Sequence, residues 1–108
     1  MYTFPLEPDE LIIKKCLASY SSSGDNLTGA LYLTDRRLVF VGYVLNINNK
    51  YMDDVTLSHI KEILPEKTFF LIPNALKVVT ITDKVIKLVV KDRNEWLSAV
   101  YRQMELVN

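Results

Sequence analysis

The sequence predicts a mainly β fold closed by one C-terminal α-helix, and three observations carry that expectation. Short segments rich in apolar, aromatic and β-branched residues recur along the chain, separated by polar turns. Two of them, Leu27–Leu33 and Leu38–Leu45, flank the short run Thr34-Asp35-Arg36-Arg37 and give the strongest hairpin signal. From Asp92 onward the pattern changes, and Trp96, Leu97, Val100, Met104 and Val107 recur at helical spacing. About seven short strands followed by one amphipathic helix imply a barrel or sandwich, with the helix sealing an open edge or end.

The elements follow in order. Pro5, Pro8 and the acidic pair Asp9-Glu10 make an extended or turning entrance to a first strand, Leu11–Tyr20, which Ser21–Asn26 then breaks. In the next strand Leu27, Gly29, Leu31 and Leu33 share a face, whereas Leu38–Leu45 is apolar on both faces and is expected to be covered on both. Thr34 and Asp35 suit a short solvated turn that carries Arg36 and Arg37. Asn46–Lys50 reads as a polar loop, the pair Asp53-Asp54 as exposed, and Val55-Thr56-Leu57 as a short strand. Ile60–Lys67 has a mixed pattern with no clear assignment, and Pro65 makes it an edge strand at best. Asn74–Thr82 and Val85–Lys91 form a second hairpin across Asp83-Lys84. Asp92 with Glu95 three residues later is a capping-box arrangement, and Trp96 is the expected plug of the core.

At 108 residues the chain is expected to be one domain, 1–108, with a single core. Thirteen basic residues balance thirteen acidic ones, so no overall field draws it onto nucleic acid. The lone Cys16 cannot close an intramolecular disulfide and offers no zinc spacing; it reads as a small core residue, and neither metal nor cofactor is expected. The N-terminal stretch lacks a basic and then apolar leader, and no apolar run approaches the ~20 residues that cross a bilayer. The expected compartment is the cytoplasm, with peripheral membrane attachment as a variant.

The run Gly29-Ala30-Leu31-Tyr32-Leu33-Thr34-Asp35-Arg36-Arg37-Leu38-Val39-Phe40 resembles the hairpin of the GRAM branch of the pleckstrin-homology-like superfamily. Asp9-Glu10, Leu57-Ser58-His59-Ile60, Asn74-Ala75-Leu76-Lys77-Val78 and Asp92-Arg93-Asn94-Glu95-Trp96 agree with the same family in order. His59 stands where the family often has an acid. The resemblance implies a barrel of two near-orthogonal antiparallel sheets, about seven strands in all, capped by the helix. It also implies a non-catalytic module that binds proteins, membranes or phosphoinositides.

In phosphoinositide-binding relatives, basic residues near the first strand pair and its loop hold the headgroup, but Ser21–Asn26 carries no base. The candidate anion or lipid contacts are therefore Lys14, Lys15, Arg36, Arg37, Lys50 and Lys84, with the last two offset by Asp25 and Asp83. The most suggestive stretch is Phe69-Phe70-Leu71-Ile72, beside Lys67 and ahead of Pro73. Four successive large apolar residues there would suit a buried strand end, a partner contact or insertion at a membrane surface. Ser58, His59 and the nearby aspartates lack the nucleophile elbow and oxyanion donors of a hydrolase, and two adjacent aspartates supply too few oxygens for calcium. With no nucleophile, base and stabiliser set, an enzyme is not expected. The sequence thus favours protein interaction or self-association, with anionic-membrane binding as the alternative.

Overall fold

The computed structural model describes residues 3–22, 25–43, 50–68 and 72–107. They form β1 (Ile12–Ser22), β2 (Asp25–Thr34), β3 (Arg37–Tyr43), β4 (Lys50–Thr56), β5 (Ile60–Thr68), β6 (Ile72–Thr80), β7 (Val85–Val90) and helix α1 (Arg93–Val107). A single 3-10 turn, Leu57–His59, joins β4 to β5. The seven strands lie in the order β4-β3-β2-β1-β7-β6-β5, every neighbouring pair antiparallel. β1 is the hinge of this arrangement: it pairs with β2 along its length and with β7 only over Ala18–Ser21. The two expected sheets are therefore hydrogen-bonded into one curled sheet.

The concave side holds the core. Tyr20, Leu31, Leu33, Leu38 and Phe40 meet Ile63, Leu76, Val78 and Leu88 there, and α1 closes the structure by burying Trp96 and Val100 among them. Tyr20 stacks on Phe40 with ring centroids 4.6 Å apart. Strand alternation explains the sorting: Ile86, Leu88 and Val90 of β7 point inward, whereas Val85, Lys87 and Val89 alternate outward. On β3, Val39 and Val41 are fully buried on the opposite side from Leu38 and Phe40, which meets the expectation of a strand covered on both faces.

Several boundaries move. The serine-rich stretch does not break β1, because Ser21 pairs with Asn26 on one side and with Lys87 on the other, and a two-sided ladder satisfies its backbone whatever the side chain. The unassigned Ile60–Lys67 is β5, an edge strand in which Pro65 sits opposite Leu76. Asp53 and Asp54 lie within β4, because β4 pairs with β3 from Lys50 to Thr56, and of the pair expected to be exposed Asp53 is half-buried. The β6–β7 connection is longer than two residues: Asp83 takes φ 67° and the Lys84 amide donates to Thr80 Oγ1 at 3.1 Å. Asp92 has φ 60°, not the extended backbone of a side-chain N-cap, and its carbonyl accepts from the Glu95 and Trp96 amides at 3.0 and 3.2 Å.

The segment from Thr3 to Leu11 is an arm laid on the outer side of the β2–β3 hairpin. Phe4 meets Tyr32 edge-on at 4.9 Å and lies under the Arg37 guanidinium at 5.1 Å. The Leu11 amide donates to Asp35 Oδ1, and the Asp35 amide returns a bond to the Leu11 carbonyl, each at 3.0 Å.

Candidate functional site

Each sequence-predicted cation can now be placed. Arg37 is not in a solvated turn. Its Nε and Nη2 donate to the two oxygens of Glu10 at 2.8 and 2.9 Å, Nη1 to Asp54 Oδ2 at 2.9 Å, and Nη2 also to the Pro5 carbonyl at 3.0 Å. The Glu10 carboxylate is wholly buried and also accepts from Thr34 Oγ1 at 2.7 Å and the Glu7 amide at 2.9 Å. The Arg37 hydrogen bond, opposed by burial, holds the Glu10 carboxyl down at about 2. The same bond raises the Arg37 pKa. Arg36 turns back to the Pro8 carbonyl at 2.8 Å. The turn expected to offer two arginines to a ligand instead fastens the arm.

Lys14 and Lys84 are also engaged. Lys14 points to the core side, 3.6 Å from Glu95 and over the Trp96 ring at 5.5 Å. Beside it Cys16 is half-buried against the core, and burial pushes its thiol up. Lys84 meets Asp53 Oδ2 at 2.7 Å. Asp53 in turn accepts from the Tyr20 hydroxyl, which lies 3.0 Å from the Tyr51 hydroxyl. Burial first, then the bonds to Asp53 and Tyr51, raise the Tyr20 pKa. This network ties β1, β4 and the β6–β7 turn together beside a void of about 10 Å³, large enough for no more than a water. Lys15 and Lys50 remain exposed. Of the apolar patch, Phe69, Phe70 and Leu71 lie outside the described residues; Ile72 opens β6 with its backbone paired to Thr68.

A much wider cavity lies elsewhere, on the convex side of the sheet. It is a groove of about 530 Å³ lined by Ser19, Ser21, Asn26, Glu66, Lys67 and Lys87, with Ala75 and Val89 beneath. Register builds it. Ser19, Val89, Ala75 and Glu66 form one row across β1, β7, β6 and β5, and the small side chains of Ser19 and Ala75 leave a trough in that row. Ser21 and Asn26 close one end. Lys77 lies 4.0 Å from Glu66 and offsets its charge. Among the described residues no carboxylate pairs with Lys67 or Lys87, so two free ammonium groups, two hydroxyls and an amide face one concavity. Such a set suits a multiply charged oxyanion.

In the sequence Lys67 stands out only as a flank of the apolar run, and Lys87 belongs to no motif. The alternation of β7 already placed Lys87 away from the core; which strands would stand beside it was not visible.

His59 is exposed at the end of the 3-10 turn, and both nearby aspartates are committed to cations. Among the described residues no three of His, Cys, Asp and Glu converge on a metal-sized site, and no helix is long and apolar enough to cross a membrane.

Comparison with known proteins agrees with this architecture. The family model described as GRAM domain matches residues 1–93. No curated protein sequence matches the chain. Among solved structures, the C-terminal domain of an unknown protein from Leishmania infantum superposes with a TM-score of 0.73 at 20% identity, over 90% of this chain and 86% of that one. The Vps36 N-terminal PH domain gives 0.73 at 15% identity, covering 95% and 85%. The hSac2 domain of the human phosphoinositide phosphatase Sac2 gives 0.59 at 15% identity, covering 94% and 71%. At these identities the similarity shows a shared pleckstrin-homology-like fold.

Proposed function

Since this chain belongs to the GRAM domain family, we propose that it is a non-catalytic binding module that docks on anionic membrane surfaces through the convex groove of Lys67 and Lys87. The observation that carries the reading is the pairing pattern of the lysines. Lys14 and Lys84 are neutralised by the protein's own Glu95 and Asp53, while Lys67 and Lys87 stand unpaired together at one groove lined with hydroxyls. A fixed ammonium near an anionic surface contributes about 1 kcal/mol, and hydroxyl and amide donors add the short-range bonds that phosphate oxygens need. In the sequence Phe69-Phe70-Leu71 follows Lys67 by two residues, an apolar run next to a base of the kind that suits a membrane surface. One structural neighbour belongs to a phosphoinositide phosphatase, which is in keeping with this ligand class.

Flotation with vesicles of neutral lipid, of phosphatidylserine and of phosphoinositide mixtures tests the reading. Anionic vesicles should carry the protein upward at low salt and release it as ionic strength rises. The change Lys67→Glu with Lys87→Glu should abolish flotation, and Lys50→Glu, away from the groove, should leave it intact. Flotation that survives the double reversal would refute the assignment.

A further inference from the structure

A second surface, independent of the groove lysines, lies on β1. Its pairing with β7 ends at Ala18, so among the described residues the stretch Ile12–Leu17 has β2 on one side and no strand on the other. The backbone groups that point to that open side are a template for another strand. Other exposed strand edges are guarded. On β5, α1 reaches over, with the Tyr101 hydroxyl donating to the Ile63 carbonyl and Arg93 Nη1 to the Glu66 carbonyl at 2.9 Å. The edge strand β4 carries Asp53 and Asp54.

At β1 the first turn of α1 meets the core-side Lys14, through Glu95 and Trp96, and leaves the convex-side residues exposed. Leu17 is 72% exposed and Ile13 45%, and Lys15 stands between them on the convex side, opposite Tyr32 of β2. Lys91 follows the last β1–β7 pair, Ala18 with Val90, and so flanks Leu17. Among the described residues neither Lys15 nor Lys91 has a carboxylate partner. We infer that the Ile13–Leu17 edge of β1 accepts an extended segment of another protein that carries an acidic residue between two apolar ones, in an apolar-x-acid-x-apolar pattern.

Charge decides the occupant. A second copy of this chain, added antiparallel so that Ile13 faces Leu17 of its mate, would set Lys15 directly opposite Lys15 of that mate, and like charges across a strand pair destabilise it. An acid at that position pairs with Lys15, and its apolar neighbours at i±2 cover Ile13 and Leu17. The irregular register between Ile12 and Lys14 twists the far end of the edge, so the added strand is short, about five residues.

The probe is a fluorescein-labelled heptapeptide of alternating threonine and valine with glutamate at its centre, compared by fluorescence anisotropy with a lysine-centred version. The full chain should bind the glutamate peptide about tenfold more tightly, the size expected when an attractive cross-strand pair replaces a repulsive one. Lys15→Glu should reverse the preference, and Leu17→Ser, at an exposed position that does not disturb folding, should weaken both. The groove variant Lys67→Glu with Lys87→Glu should bind the peptide as before, which separates this site from the membrane reading. Equal affinity for the two peptides, or no binding of either at about 1 mM, overturns the inference. Loss of vesicle flotation in Leu17→Ser with peptide binding unchanged would make the face a membrane surface instead. Loss of a dimer in sedimentation of the same variant would make it a self-contact.

Discussion

The residue with the most consequences is Arg37. Sequence placed it in a tight turn because the flanking residues are those of a turn, and that part stands: Thr34 Oγ1 accepts from the Arg36 and Arg37 amides at 3.0 Å. What the turn does was not legible, because the partner is Glu10, distant in sequence and brought close only when the arm folds back. A buried pair of this kind repays its desolvation through close geometry, whereas removing one member strands a charge, typically at 3–5 kcal/mol. Glu10→Ala should therefore lower stability by about that amount in denaturant titrations. Adding Arg37→Met to Glu10→Ala should recover part of the loss, because the guanidinium, left with only Asp54 as a charged partner in the single variant, no longer has to be buried without Glu10. A double variant whose loss equals the sum of the two single losses would show that the two residues act independently.

At the scale of elements, α1 seals the sheet and guards its β5 edge at once. Trp96 is 1% exposed among core residues from several strands, and Trp96→Ala should cost about 3–5 kcal/mol. Tyr101 stands at the helix surface and its hydroxyl covers one β5 carbonyl, so Tyr101→Phe should cost about 1 kcal/mol and raise hydrogen exchange along β5 more than elsewhere. Unchanged exchange in β5 would mean the helix protects that edge by packing alone. Gly29 shows a different constraint: a Cβ there would sit 2.1 Å from the Val41 carbonyl, so Gly29→Ala must displace β3 and should cost about 1–3 kcal/mol. Strand and helix identity were largely legible, since both rest on local periodicity: the β2–β3 hairpin, β7 and the Trp96 stripe follow the pattern of their side chains. The extension of β1 through its serines was not legible and β5 only weakly so, as an edge strand at best, because there the ladder comes from neighbours distant in sequence and outweighs weak local preference.

The whole molecule sorts its charge. Equal numbers of acids and bases suggest a featureless field, yet Glu10, Asp53 and Asp54 are consumed in holding the fold while Lys15, Lys50, Lys67, Lys87 and Lys91 stand unpaired among the described residues. The binding reading therefore depends on which lysines the register leaves free, a property that composition cannot show. The same internal pairs bound the pH range of stability. Glu10 sits at about 2 in the folded chain against 4.5 for a free carboxyl, so the folded state binds fewer protons than the unfolded state between those values. Its contribution, roughly 3 kcal/mol, is present above pH ~4.5 and lost as pH falls toward 2. Tyr20 has the opposite sign: its folded pKa is raised, so above pH ~10 the unfolded chain ionises first and stability falls as pH rises. Melting temperature should thus hold a plateau between about pH 5 and 10 and decline on both sides. Glu10→Gln should flatten the acid limb and leave the alkaline one, and Tyr20→Phe should do the reverse. An acid limb as steep in Glu10→Gln as in the parent chain would place the acid sensitivity in other carboxylates and remove the buried pair from the account.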